Sequence, residues 1–287
     1  VSPFAAKRVG AALVAKNIST HLETVLKNKN RNWRPLVYCW RGGQRSGAMA
    51  EIFSNIGWQS TIIEGGYKSY RQHVLDFLNT TPQKLSLIIL SGQTGSAKTH
   101  ILNATSKKDG QVIDLEGLAH HRGSLLGSEP GIKQPTQRFF ESQLCKVMQS
   151  FNTSYPVFVE AESNKIGNLH VPPTLWAAMR RAPSFRIIAP IKARVYFLKR
   201  DYAHIIDDTR MIIPLLTGLK SRYSAKQITD WKNMVDRREW EGFIKSLLEA
   251  HYDPCYERSS HKRIANEFCV LKAKTLCIKD IDRLAEE

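Results

Sequence analysis

A single cysteine, Cys39, opens a glycine- and arginine-rich stretch, YCWRGGQRSGAMA at residues 38–50. Inward-pointing backbone N–H groups, a following helix N-terminus and nearby guanidinium groups all favour a nucleophilic thiolate. The stretch offers all three, because a helix is predicted to begin near Ser46 after the five loop residues Arg41, Gly42, Gly43, Gln44 and Arg45. The sequence therefore predicts a reactive thiol that could also carry a persulfide or perselenide anion. The alternative is a buried strand-end cysteine beside an ordinary turn.

A second stretch, SGQTGSAKTHIL at residues 91–102, approaches the phosphate-loop pattern G-x-x-x-x-G-K-[ST]. Lys98 would offset phosphate charge and Thr99 could reach a magnesium ion, while the backbone N–H groups would surround the phosphate. Ala97 stands where the pattern has its second glycine. The predicted phosphate-binding residues are Gly92, Gln93, Thr94, Gly95, Ser96, Ala97, Lys98 and Thr99. An ordinary glycine–serine turn is the alternative.

Four carboxylates follow apolar runs in the same part of the chain: Asp114 and Glu116 in VIDLEG, and Glu160 and Glu162 in VFVEAES. In a doubly wound sheet, such strand ends lie near the phosphate loop. These side chains could bind magnesium or orient a substrate hydroxyl; solvated strand-end acids are the alternative. Arg122 in HHRGS is a candidate for the same crevice. No firm metal site follows, because further ligands cannot be placed.

Two α/β units are predicted to position these groups. In the first, a helix over residues 4–27 precedes the strand RPLVYCW, the cysteine loop, a helix ending at Gly57 and the strand in QSTIIEGGYKSY. The polar segment NTTPQK, residues 79–84, is the predicted boundary, which gives domains 1–78 and 85–287.

The second unit begins with a strand over residues 85–90. Further strands are predicted in QVIDLEG, YPVFVEAES and ARVYFLKR, and the chain after residue 201 is predicted to be mostly helical. The fold class is therefore α/β.

The composition narrows the choice of partners and compartment. The 287 residues carry 42 Lys and Arg against 26 Asp and Glu, a net charge of +16, which favours a polyanionic partner such as nucleic acid. No apolar run approaches the ~20 residues of a membrane span, so no membrane association is expected. Five cysteines without a CxxC pair argue against a disulfide framework or zinc site, and they fit a cytoplasmic protein.

The combination of a cysteine loop and a phosphate loop resembles the tRNA 2-selenouridine synthase family. The cysteine loop and IIEGGYKSYR resemble the active-site loop and closing strand of rhodanese domains, of which this chain is expected to hold only the C-terminal half. VIDLEGLAHHRGS, QPTQRFFESQL, VEAESNKIGNLHVPPTLWAAM and HYDPCY also resemble that family. The resemblance covers almost the whole chain. It implies a partial rhodanese-like domain followed by a P-loop NTPase-like parallel-sheet domain with a helical C-terminal region.

The resemblance also implies an activity, a transferase reaction on the wobble uridine of tRNA. Geranyl diphosphate would alkylate the sulfur of 2-thiouridine, and selenium from selenophosphate would then displace the geranylthio group. Cys39 would carry the selenium, and the phosphate loop would bind the geranyl donor's diphosphate rather than ATP. The basic stretches APIKARVYFLKR and LKSRYSAK would follow the tRNA backbone. No tightly bound cofactor is expected; magnesium is a candidate, and an enzyme that supplies selenophosphate is a candidate partner.

Two departures from the family pattern leave two rival hypotheses open. Gln44 replaces a usual methionine, and Ala97 replaces a glycine. The first rival is a P-loop kinase or ATPase with a rhodanese relic, in which tRNA has no part. The second is an inactive, truncated tRNA-binding homologue.

Overall fold

The computed structural model describes residues 2–123, 131–203, 206, 209, 212–260 and 267–287. The chain divides into two compact units, Val1–Asp76 and Phe77–Glu287. This division lies inside a helix, whereas the boundary predicted from the sequence lies at residues 79–84, where that helix ends.

The first unit contains a short parallel strand pair and three helices. Its elements are α1 (Pro3–Glu23), β1 (Leu36–Val37), α2 (Gln44–Ile56), β2 (Thr61–Ile62) and α3 (Tyr67–Thr80). The strands are only two residues long, with Leu36 paired to Thr61. The helix α2 ends as predicted at Gly57, whose φ of 99° is left-handed. The rings of Trp33, Phe53 and Trp58 pack edge to face at centroid distances of 5.1–5.6 Å.

The second unit is built on a five-stranded parallel sheet. Its strands are β3 (Leu87–Gly92), β4 (Gln111–Ile113), β5 (Val157–Glu160), β8 (Ser184–Ile188) and β9 (Glu267–Lys272), in the spatial order β4-β5-β3-β8-β9. A small antiparallel pair, β6 (Lys165–Ile166) and β7 (Leu169–His170), lies outside this sheet. The prediction of an α/β fold with a parallel sheet is thus confirmed.

Helices occupy most of the remaining described chain in this unit. They are α4 (Lys98–Ser106), α5 (Leu115–Ala119), α6 (Gln137–Gln149), α7 (Pro173–Arg181), α8 (Ile191–Asp201), α9 (Ile212–Leu219), α10 (Ala225–Asp236), α11 (Trp240–Leu247), α12 (Asp253–Ser260) and α13 (Ile278–Glu286). A π-helical turn, Leu248–Tyr252, joins α11 to α12. None of the described helices is both long enough and apolar enough to cross a membrane.

The central strand β3 determines where a ligand can bind. Its residues LIILSG are almost continuously buried, which is typical of a parallel strand covered on both faces. The chain places β4 and β5 on one side of β3 and β8 and β9 on the other. The carboxyl end of β3 is therefore a topological switch point, the usual ligand-binding position in open α/β sheets.

One strand prediction was wrong and another extended too far, each for an identifiable reason. ARVYFLKR belongs to helix α8, because the carbonyl of Pro190 accepts a hydrogen bond from the N–H of Arg194 and starts helical turns. In QVIDLEG the strand stops at Ile113, since the Asp114 carboxylate accepts from the N–H of Gly117 at 2.7 Å and caps α5. Glu116 therefore lies in a helical turn rather than at a strand end. The strands β8 and β9 were not predicted.

The C-terminal helix α13 is fixed to the sheet by one carboxylate. Asp280 Oδ2 accepts hydrogen bonds from the backbone N–H groups of Lys274, Thr275 and Leu276 at 2.7–3.0 Å, and Oδ1 accepts from Arg283 at 2.7 Å. Burial raises the pKa of Asp280, but these hydrogen bonds outweigh burial and hold that pKa well below its usual range.

Asp280→Ala is expected to lower the free energy of unfolding by about 2–4 kcal/mol, because buried donors lose their acceptor. The folded-state pKa lies below the unfolded value of about 4, so this stabilisation is fully present above pH ~4 and is lost as the pH falls through the folded pKa. Urea unfolding at neutral and acidic pH measures both effects. Asp282→Ala, at an exposed position of the same helix, is the matched control. Equal losses in the two variants would contradict this account.

Candidate phosphate site and cysteine loop

The loop between β3 and α4 has the geometry of an anion site. β3 ends at Gly92 and α4 begins at Lys98, so the first N–H groups of α4 have no partner within the helix and point toward the loop. The helix dipole adds a positive partial charge there. Lys98 Nζ donates to the carbonyl of Gly92 at 3.1 Å, which holds the ammonium group across the loop.

Close packing explains the small residues of this loop. A Cβ on Gly92 would lie 2.6 Å from Ser96 Oγ, and one on Gly95 would lie 2.8 Å from a methyl of Leu198. Gly95 also has a φ of +81°. Ala97 adopts the left-handed conformation, φ 60° and ψ 26°, at a cost of roughly 1–2 kcal/mol, and its methyl group is buried in an apolar cluster. The alanine is therefore accommodated at the position where the pattern has glycine.

A buried arginine that sequence patterns did not predict as a site residue supports the loop. Arg194 is 2% exposed; its Nε donates to the carbonyl of Thr94 at 2.9 Å and its Nη1 to Gln93 Oε1 at 3.0 Å. The same guanidinium forms a bidentate pair with Asp253, at 2.6 and 3.0 Å. Arg194 therefore positions the loop and is not part of a basic surface. The stretch HYDPCY contains Asp253, the partner of Arg194, and is the sequence feature that could have indicated this ion pair.

Three of the predicted carboxylates converge beside Thr99. Glu116, Glu160 and Glu162 each offer an oxygen, and these atoms lie within 4.8 Å of one another. Thr99 Oγ1 lies 3.1 Å from Glu116 Oε2 and 3.3 Å from Glu160 Oε2. The backbone N–H of Glu116 donates to Glu160 Oε1 at 2.8 Å. A Cβ on Gly123 would lie 2.4 Å from a Glu162 oxygen, so the glycine leaves room for these acids.

The electrostatics of this cluster suit a divalent cation. Burial, and then the charge of Glu162, raise the pKa of Glu116 to about 8. Burial and the neighbouring carboxylates raise the pKa of Glu160 well above its usual value. Three carboxylates and a hydroxyl form an all-oxygen set of the kind that Mg²⁺ prefers, and a cation would offset their mutual repulsion. The residues therefore fit a magnesium ion.

The other predicted residues of this crevice have structural partners. Asp114 caps α5, and burial raises its pKa. Arg122 pairs with Asp201 at 2.5 Å, and its guanidinium stacks on Tyr202 at 4.8 Å from the ring centre. Asp201 also lies 3.3 Å from His100 Nε2. No sequence pattern indicates this link, because residues 100, 122 and 201 lie in three separate parts of the chain.

In the first unit, the thiol of Cys39 both accepts and donates a hydrogen bond. Cys39 is 9% exposed, the Ser46 hydroxyl donates to Sγ at 3.4 Å, and Sγ donates to the Arg41 carbonyl at 3.4 Å. The hydrogen bond from the Ser46 side chain, followed by backbone hydrogen bonds from Ser46, Gly43 and Arg41, lowers the Cys39 pKa to about 7 against an opposing effect of burial. This pKa lies closer to neutrality than that of an ordinary cysteine, which favours the thiolate.

Several loop residues act through backbone shape. Gly42 and Gly43 have φ of 78° and 73°, and α2 begins at Gln44, so Ser46 lies in the first turn rather than at the cap. The side chains of Arg41, Gln44 and Arg45 are exposed. Gly66 approaches the Cys39 carbonyl so closely that a Cβ would lie 2.2 Å from that oxygen.

A parallel sheet with a lysine-bearing loop and a helix N-terminus at its switch point defines an α/β protein of the phosphate-loop class. Residues 85–213 match the family model described as "tRNA 2-selenouridine synthase AAA domain". Curated relatives of that name include proteins from Shewanella piezotolerans (32% identity, 79% of this chain and 68% of the relative), Alcanivorax borkumensis (31%, 79% and 69%) and Psychromonas ingrahamii (27%, 90% and 77%). The chain belongs to the tRNA 2-selenouridine synthase family.

The lowered pKa of Cys39 predicts how the rate of its alkylation depends on pH. Alkylation of Cys39 by iodoacetamide, followed peptide by peptide with mass spectrometry, is expected to reach half its maximal rate near pH 7. Ser46→Ala removes the strongest thiolate donor and is expected to move this midpoint upward, toward that of an ordinary cysteine. Ser54→Ala, exposed on the same helix, is the matched control. A midpoint that Ser46→Ala leaves unchanged would contradict the assignment.

Proposed function

We propose that this chain modifies the wobble uridine of tRNA, replacing the sulfur of 2-thiouridine with selenium by way of a geranylated intermediate. The observation that carries the proposal is the thiolate-stabilising environment of Cys39 in a chain of this family. The first unit then acts as a rhodanese-type selenium carrier, and the second holds the geranyl donor.

In the first step the thiouridine sulfur attacks the terminal carbon of geranyl diphosphate. A C–S bond forms, the C–O bond breaks, and the diphosphate leaves with the bonding electron pair. Developing negative charge on that diphosphate would be stabilised by Lys98 and by the N–H groups at the start of α4. Thr99, Glu116, Glu160 and Glu162 would hold Mg²⁺, which supplies further charge neutralisation when bound.

In the second step a selenium anion on Cys39 attacks C2 of the base. A C–Se bond forms, and the geranylthiolate leaves with its electron pair. Formation of the S–Se bond from selenophosphate, with phosphate as product, requires a two-electron acceptor such as a small-molecule disulfide. Two thiols return those two electrons. The first cleaves the S–Se bond after transfer, which leaves selenium on the base and a mixed disulfide on Cys39, and the second reduces that disulfide and regenerates the cysteine.

The charge of the chain supports a tRNA substrate. A net charge of +16 favours binding to a phosphate backbone, with an affinity that falls as salt is added. Arg194 does not contribute to such a surface, because it is buried against Asp253. Arg41 and Arg45 are exposed beside Cys39 and are candidates for phosphate contacts near the target base.

Two variants separate the two steps. Cys39→Ala is expected to bind tRNA and to form the S-geranyl product, but to form no 2-selenouridine, because the selenium carrier is lost. Lys98→Ala is expected to slow geranylation by roughly 10²–10³-fold, because the leaving diphosphate loses its cation. Mass spectrometry of nucleosides from tRNA incubated with geranyl diphosphate and selenophosphate measures both products.

Cys277→Ala, which removes an exposed cysteine, is the matched control and is expected to retain both products. Selenated tRNA from Cys39→Ala would end the assignment of Cys39. Absence of either modified nucleoside with the unaltered chain would instead favour an inactive tRNA-binding homologue, and ATP turnover without any effect on tRNA would favour a kinase or ATPase.

A further inference from the structure

An apolar cavity adjoins the phosphate loop. It lies between α8 and α11, has a volume of about 70 Å³ and opens to solvent on one side. Its walls are almost entirely apolar. They include Leu198, Tyr202, Trp240, Phe243, Ile244 and Tyr252.

The cavity and the loop share their boundary. Thr94 of the phosphate loop lines the cavity, and Leu198, which also lines it, is the side chain that a Cβ on Gly95 would strike at 2.8 Å. Arg194 fixes this junction, because its Nε donates to the Thr94 carbonyl from one turn earlier on α8. A ligand bound through phosphate oxygens on the loop can therefore extend an attached chain into the cavity.

We infer that this cavity binds the hydrocarbon chain of an isoprenoid diphosphate whose diphosphate lies on the Gly92–Thr99 loop. The inference rests on the proposed function and names a site for the geranyl group. A nucleotide is disfavoured, because the polar atoms of a base and a ribose would be buried there against apolar walls, largely without hydrogen-bond partners. A hydrocarbon chain has no such requirement, and its burial is favourable.

The cavity makes binding depend on chain length. Each methylene buried strengthens binding by about fourfold at most. Calorimetry on the full chain with inorganic diphosphate, dimethylallyl diphosphate and geranyl diphosphate tests this dependence without any substitution. Geranyl diphosphate is expected to bind at least about tenfold more tightly than dimethylallyl diphosphate.

A cavity-filling substitution tests the location. Ile244→Trp, at a half-buried position of the cavity wall, is expected to weaken geranyl diphosphate binding by about tenfold or more and to change inorganic diphosphate binding by less than about twofold. Ile278→Trp, the same change at an exposed position of this unit, is the matched control and is expected to bind both ligands normally. Circular dichroism establishes that the variants are folded.

The outcomes separate this inference from the proposed function. Inorganic diphosphate that binds, combined with equal affinity for the short and long isoprenoids, would overturn the cavity assignment and leave the proposed function standing. A folded Ile244→Trp with unchanged geranyl diphosphate affinity would do the same. Failure of the unaltered chain to bind any diphosphate would overturn both.

Discussion

The buried ion pair between Arg194 and Asp253 is the interaction on which the phosphate site depends. A guanidinium that is 2% exposed must satisfy its donors within the protein, and here it does so with one carboxylate, one side-chain amide and one backbone carbonyl. Two of these acceptors, Thr94 and Gln93, belong to the phosphate loop. The loop conformation is therefore coupled to α8, which carries the arginine, and to the start of α12, which carries the aspartate.

The phosphate loop has a different environment at each of its two ends. At its Thr99 end, three carboxylates converge and create a place for a divalent cation. At its Thr94 end, the loop opens onto apolar side chains. A ligand with a highly charged head and a hydrocarbon tail matches this change in polarity, and an isoprenoid diphosphate has that form. The cysteine of the first unit does not depend on this loop, since hydrogen bonds from its own neighbours outweigh burial and lower its pKa to about 7.

Local sequence patterns predicted the parts of the molecule that depend on local interactions. The spacing of Gly92, Lys98 and Thr99 placed a loop between a strand and a helix, and Gly57 marked a helix end, because both features depend on a few neighbouring residues. Strand β9 was missed because its partner, β8, precedes it by about 80 residues. Residues 193–200 were predicted to form a strand, whereas packing against the sheet selects a helix.

The same distinction applies to the site. The carboxylates of Glu116, Glu160 and Glu162 were predicted to lie near the loop from their position after apolar runs. The role of Arg194 could not be predicted, because nothing in the sequence APIKARVYFLKR distinguishes an arginine that is buried from one that is exposed. Only the tertiary contact with Asp253 distinguishes a support for the loop from a contact for nucleic acid.

The most direct test of this account is to measure inorganic diphosphate affinity and unfolding free energy together in Asp253→Asn. Loss of the carboxylate leaves the Arg194 charge buried, so the free energy of unfolding is expected to fall by about 3–5 kcal/mol. Diphosphate affinity is expected to fall at least about tenfold in the folded variant, because the loop loses its support. Glu241→Gln, which removes an exposed partner of Lys199 on a neighbouring helix, is expected to leave both stability and binding nearly unchanged. A folded Asp253→Asn protein that binds diphosphate as tightly as the unaltered chain would contradict the account.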